Sequence, residues 1–103
     1  MTFAAQILTL YPDMFPGPLG ISPPGRALQE QRWSCDTIQI RDFATGKHRN
    51  VDDTPAGGGA GMVLRADVLG AAVDHAIQQQ PDNPILAMTP RGKPISQARI
   101  RQL

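Results

Sequence analysis

Cysteine is nearly absent from this sequence, with Cys35 the single example in 103 residues. One thiol cannot close an internal disulfide or build a multi-cysteine metal site, so a reducing compartment is the simplest setting. Aromatic residues are scarce as well, one Trp, one Tyr and three Phe. Tyr11, Phe15, Trp33 and Phe43 are the candidates for stacking on bases, with core packing the commoner use of so small a set. Long hydrophobic runs are also missing. The opening MTFAAQILTLYPDMF has no basic start, is interrupted by Gln6 and ends at Tyr11-Pro12-Asp13. It is read as neither an export signal nor a membrane span, which places the protein in the cytoplasm. An excess of charge is lacking too. A net charge of +1 with 41% hydrophobic residues excludes a disordered tail and a strongly basic nucleic-acid binder. Locally the balance shifts: Arg41, Lys47 and Arg49 lie close together, and Arg91, Lys93, Arg99 and Arg101 occupy a final stretch without acid.

What is present reads as one α/β domain. Residues 3–10, FAAQILTL, form a short apolar run suited to a buried strand. CDTIQIR at 35–41 alternates with Ile38 and Ile40 on one face, and PILAMT at 84–89 is a third strand candidate. Between them the period changes. Residues 65–80 put Val68, Leu69, Ala72, Val73, Ala76 and Ile77 on one helical stripe, with Asp67 near the positive end of that helix. A proline-marked helix is expected over 23–32 and another over 96–103 with Ser96 as its N-cap. Strands alternating with helices imply a parallel sheet, whose ligand sites usually lie beyond the carboxyl ends of strands. Residues 42–62 form a long connection without periodicity, and such a loop in a compact domain is usually functional or disordered.

That connection contains VDDTPAGGGAGMVLR, residues 51–65, with four glycines. It is not a P-loop, which needs Gly-Lys followed by Ser or Thr, and it lacks the third glycine of the dinucleotide fingerprint. A solvated turn and a ligand-facing loop both remain open on composition alone. Asp52 and Asp53 fit either a cation, a base or plain solvation; His48 fits a general base, a phosphate contact or a surface residue. His75, off the apolar stripe, is read as part of a solvated face. The two histidines do not make a metal site. Ser22, Ser34 and Ser96 lack a nucleophile elbow, and Cys35 has no neighbouring base.

Five segments, LTLYPDMF (8–15), GRAL (25–28), IRDF (40–43), KHRNVDDTPAGGGAGMVLRADVL (47–69) and MTPRGK (88–93), together resemble the N-terminal part of bacterial tRNA (guanine-N1)-methyltransferases. The resemblance implies methyl transfer from S-adenosyl-L-methionine to N1 of the guanine 3′ of the anticodon. It implies a SPOUT-class homodimer with a deep trefoil knot. It also implies that residues 1–103 are a partial methyltransferase domain, truncated before the knot and inactive alone. The knot segments, the catalytic residues and the C-terminal tRNA-binding domain are expected beyond the position of Leu103, so no catalytic residue is assigned here. Carried over by position, Ala87, Met88, Thr89 and Pro90 form the first wall of the cofactor pocket. Asp52, Gly59, Ala60 and Gly61 belong to the loop that approaches the target guanine. His48 and Arg49 lie near phosphate or the dimer partner. The alternative from another class is a non-catalytic RNA-binding or assembly module.

Overall fold

The computed structural model describes residues 3–103. Strand β1 (Phe3–Thr9) leads through two 3₁₀ turns (Pro12–Met14 and Gly17–Gly20) into helix α1 (Ser22–Gln29), then strand β2 (Trp33–Gln39) and a 3₁₀ turn (Ile40–Phe43). β1 and β2 pair in parallel, from Phe3 opposite Trp33 to Thr9 opposite Gln39. A parallel pair needs a crossover, and α1 supplies it. Two side-chain bonds fix both ends of this unit. The Trp33 indole donates to the Pro24 carbonyl at 3.0 Å, tying the start of β2 to α1, and the Gln39 amide donates to the Leu10 carbonyl at 3.2 Å, tying the strand ends together.

The prolines of SPPGRALQ sit in the first turn of α1, where a missing N–H costs nothing. Gly25 is the buried residue of that helix, and the space its Cβ would fill is taken by the Gly20 carbonyl. Helix α2 (Ala66–Gln79) follows most of the expected stripe: Val68 and Ala72 are buried and Leu69, Val73 and Ala76 half-buried, while Ile77 near its end is exposed. The core gathers Ile40, Val51, Val68 and Ala72, with Leu8, Leu10, Phe43, Ala44 and Leu69 packed around them. Ile38 and Ile40 are both buried as their alternation requires, although Ile40 already belongs to the turn after β2.

Helix α3 (Gln97–Gln102) starts where Ser96 predicts, the Ser96 hydroxyl accepting the Arg99 N–H at 3.2 Å. Three expectations need correction. Residues 84–89 form no strand: they have no regular structure, and every residue from 81 to 103 is exposed. A strand exists through its partners, and no strand lies beside this segment among the described residues. The connection 42–62 is not structureless, since β3 (Asp52–Asp53) and β4 (Val63–Leu64) close it into an antiparallel hairpin. His75 is half-buried rather than solvated. Its ring packs on Phe43 with centroids 5.3 Å apart, and the Gln79 amide lies 3.0 Å from its Nε2. Among the described residues no helix is long and apolar enough to cross a membrane.

Candidate functional site

The glycine segment is the tip of a hairpin with a short, well-anchored stem. Asp52 pairs with Leu64 and Asp53 with Val63. Just below them the Arg65 N–H donates to the Val51 carbonyl at 2.8 Å. Val51 is 3% exposed and lies in the core with Val68 and Ala72, so the exposed stem rises from a base of buried apolar contact. The other side runs into α2, whose first turn begins with Arg65 accepting from the Leu69 N–H at 3.0 Å.

Across the top of that stem the chain is held by two local bonds. Asp53 Oδ1 accepts the Thr54 N–H at 2.8 Å, and the Gly58 N–H donates to the Pro55 carbonyl at 3.1 Å. Gly57, Gly58, Gly59 and Gly61 have φ of +80°, +88°, +114° and +88°, and no heavy atom lies within 4 Å of a Cβ built on any of them. Conformation, not space, is therefore what requires glycine here: these are left-handed positions that other residues adopt at a cost. The tip is exposed and presents backbone N–H and C=O groups without side chains in front of them.

Between the hairpin and the start of α2 lies an open cleft of about 350 Å3 with Asp53, Pro55, Ala56, Leu64, Arg65 and Asp67 on its walls. Two of its three charges are paired. Arg65 grips Asp67 with two bonds, Nε to Oδ1 and Nη2 to Oδ2, both 3.2 Å. The bond from Arg65 holds the Asp67 carboxyl below the ordinary aspartate range against a smaller opposing effect of burial. The same bond, aided by the charges of Asp67 and Asp53, raises Arg65.

The lead-in to the stem has its own fixation. Arg41 Nη1 donates to the Arg49 carbonyl and Arg49 Nη2 to the Arg41 carbonyl, each at 3.1 Å. The same Arg49 nitrogen reaches Asp42 Oδ1 at 3.0 Å. Arg49 takes φ +48°, a left-handed conformation for a residue that is not glycine. His48 beside it is exposed.

The structure thus brings together one subset of the sequence candidates. Asp52 lies in the stem and Gly59, Ala60 and Gly61 in the tip of a single hairpin, with His48 and Arg49 on its approach. Ala87, Met88, Thr89 and Pro90 are apart from it in the exposed segment after α2, Met88 being 92% exposed. Thr89 closes a local turn: its hydroxyl accepts the Arg91 N–H at 3.3 Å and its carbonyl the Gly92 N–H at 3.1 Å. Sequence reasoning missed Arg41 and Asp42 as partners of Arg49, and the Arg65–Asp67 pair. Only the closeness of Arg41 and Arg49 in a stretch of basic residues hinted at the first.

Known proteins are similar to this chain. The family model described as tRNA (guanine-1)-methyltransferase TrmD matches residues 1–103. A tRNA (guanine-N1)-methyltransferase of Rhizorhabdus wittichii is 75% identical over 103 residues, covering 100% of this chain and 42% of the relative. One from Novosphingobium aromaticivorans is 68% identical with the same coverage. The crystal structure of a tRNA methyltransferase from Aquifex aeolicus superposes on 99% of this chain and 46% of its own with a TM-score of 0.83, at 22% identity, which speaks for the fold. The chain spans less than half the length of these relatives. With every one of its residues inside the family match, the chain belongs to the tRNA (guanine-1)-methyltransferase family.

Proposed function

We propose that these residues are the N-terminal portion of a cytoplasmic, homodimeric tRNA (guanine-N1)-methyltransferase whose hairpin 51–65 is the loop that meets the target guanine. On this reading residues 1–103 are part of the methyltransferase domain, and the knot segments and tRNA-binding domain belong to the remaining family length. The observation that carries it is the hairpin itself: a stem fixed in the core at Val51, under a tip whose glycines leave the main chain bare. A flat base can approach such a backbone to hydrogen-bonding distance, which a Cβ at Gly59 or Gly61 would hinder.

The reaction asks for three things: removal of the proton on N1, stabilisation of charge moving to O6, and a methyl donor. S-adenosyl-L-methionine is the donor for this reaction class, its positive sulfur serving as leaving group. Ala87–Pro90 contribute one side of its pocket and the rest comes from outside this chain. From the residues here, Asp52 orients an N–H of the base, Gly59–Gly61 seat it, and His48, exposed on the approach, faces the phosphates.

The test is a methyl-transfer assay on tRNA with labelled S-adenosyl-L-methionine. It compares the 103-residue chain with a chimera in which the remainder of the Rhizorhabdus wittichii relative follows Leu103. Turnover by the chimera and none by the 103-residue chain is expected. Turnover by the short chain alone would refute the division of labour proposed, and an inactive, folded chimera would favour a non-catalytic RNA-binding module.

A further inference from the structure

We propose that Arg49 is a positioning residue, spent within the chain on a clasp with Arg41 and Asp42 that aims the glycine hairpin, and that it does not contact RNA phosphate. The inference rests on the reading of the hairpin as the base-approaching loop and deepens it.

Three observations carry it. First, the Arg49 charge is already matched: Nη2 lies 3.0 Å from Asp42 Oδ1 and donates at 3.1 Å to the Arg41 carbonyl. Reaching a phosphate with that nitrogen means giving up both partners. Second, the bonds are reciprocal. Each arginine side chain holds the other's main-chain carbonyl, so the chain at 41 and the chain at 49 are fixed relative to each other from both directions. Third, the clasp sits where the chain must turn. Arg49 has φ +48°, and a non-glycine residue stays left-handed only when its surroundings over-determine it. Two residues later Val51 enters the core, and Asp52 begins the stem. The turn at Arg49 therefore sets the direction in which the hairpin leaves the 3₁₀ turn Ile40–Phe43.

The pair is half-exposed, with side-chain exposures of 50% for Arg49 and 67% for Asp42. Such a pair adds little to global stability. Its effect is local, which separates this proposal from a general structural role.

The experiment compares Arg49→Ala, Asp42→Ala and Asp42→Asn in the full-length enzyme. Three readouts are taken: amide exchange of residues 50–62 without RNA or cofactor, kcat for tRNA, and the salt dependence of tRNA affinity. Arg49→Ala and Asp42→Ala are expected to speed exchange across 50–62 and to lower kcat by roughly tenfold to a hundredfold, the penalty for a reacting group misplaced by about 1 Å. Asp42→Asn keeps the acceptor oxygen and is expected to recover most of kcat. The slope of log affinity against log salt is expected to stay unchanged in all three, as does the unfolding temperature.

A phosphate contact behaves in the opposite way. Losing it reduces that slope by about 0.7–1, and Asp42→Ala, by freeing the guanidinium, leaves tRNA affinity equal or higher. A reduced slope in Arg49→Ala, with unchanged loop exchange in Asp42→Ala, overturns the proposal. If the parent enzyme methylates no tRNA, the functional reading fails, while the exchange measurement still decides on the clasp.

Discussion

Gly25 and Gly70 both lie within α-helices, and the same substitution is expected to move stability in opposite directions at the two. At Gly70, on the exposed side of α2, an added Cβ meets no heavy atom within 4 Å. Gly70→Ala then acts through helix propensity and the unfolded chain, a stabilisation of roughly 0.5–1 kcal/mol. At Gly25 the added Cβ would fall on the Gly20 carbonyl. That obstacle is main chain of the turn Gly17–Gly20, which cannot swing aside as the tip of a flexible side chain does. Overpacking costs about 1–3 kcal/mol, and a backbone obstacle belongs at the upper end. Propensity returns at most about 1 kcal/mol, leaving Gly25→Ala destabilised by about 2 kcal/mol. In a domain of this size 1 kcal/mol moves Tm by about 4–8 °C. Scanning calorimetry is therefore expected to show Gly25→Ala about 8–16 °C below the parent and Gly70→Ala about 2–8 °C above it. A Gly25→Ala protein as stable as the parent, or more so, would refute the reasoning, because the Gly20 carbonyl would then offer the added Cβ little obstacle.

Val51→Ala removes the equivalent of two buried methylene groups, about 1.6 kcal/mol by transfer and about 2–3 kcal/mol with the cavity left behind. Faster amide exchange at Arg65, whose N–H bonds to Val51, is the local sign of it, and unchanged exchange would detach the stem from the core. Ser96→Ala removes the cap of α3 and is expected to cost that helix about 1 kcal/mol, read as faster exchange at Arg99. Asp67 is expected to titrate below the ordinary aspartate range because Arg65 donates to it. Its folded pKa being depressed, the contribution of the pair is fully present above the unfolded pKa, at neutral pH, and is lost as pH falls through the folded one, so only in acid does it vary with pH. A carboxyl-carbon NMR titration checks this, and Arg65→Ala should move the midpoint upward.

The parts legible in the sequence are those carried by a local pattern. The α2 stripe from Val68 to Ala76, the proline-marked start of α1 and the Ser96 cap each need only neighbours within a few residues, and each lies where the pattern puts it. The hairpin escaped because two-residue strands are too short to show alternation; Val51 alone, apolar before two acids, marks it. The clasp escaped because Arg41 and Arg49 are joined through irregular chain, where no period relates residues eight apart. His75 was misread because Phe43, which covers it, comes from another element. PILAMT reads as a strand by composition, yet composition cannot supply the neighbour a strand requires.

The hairpin also works as a lever. Nine residues separate Asp53 from Val63, so the tip stands at most about 15 Å from its stem, half the contour of the loop. Over that arm a tilt of about 10° at the fulcrum moves the tip by roughly 2.5 Å, and holding the tip within about 1 Å of a base leaves a tolerance of about 4°. Small angular errors at Val51 and Arg49 are thus magnified at the tip. Aim at the far end is decided at the fulcrum.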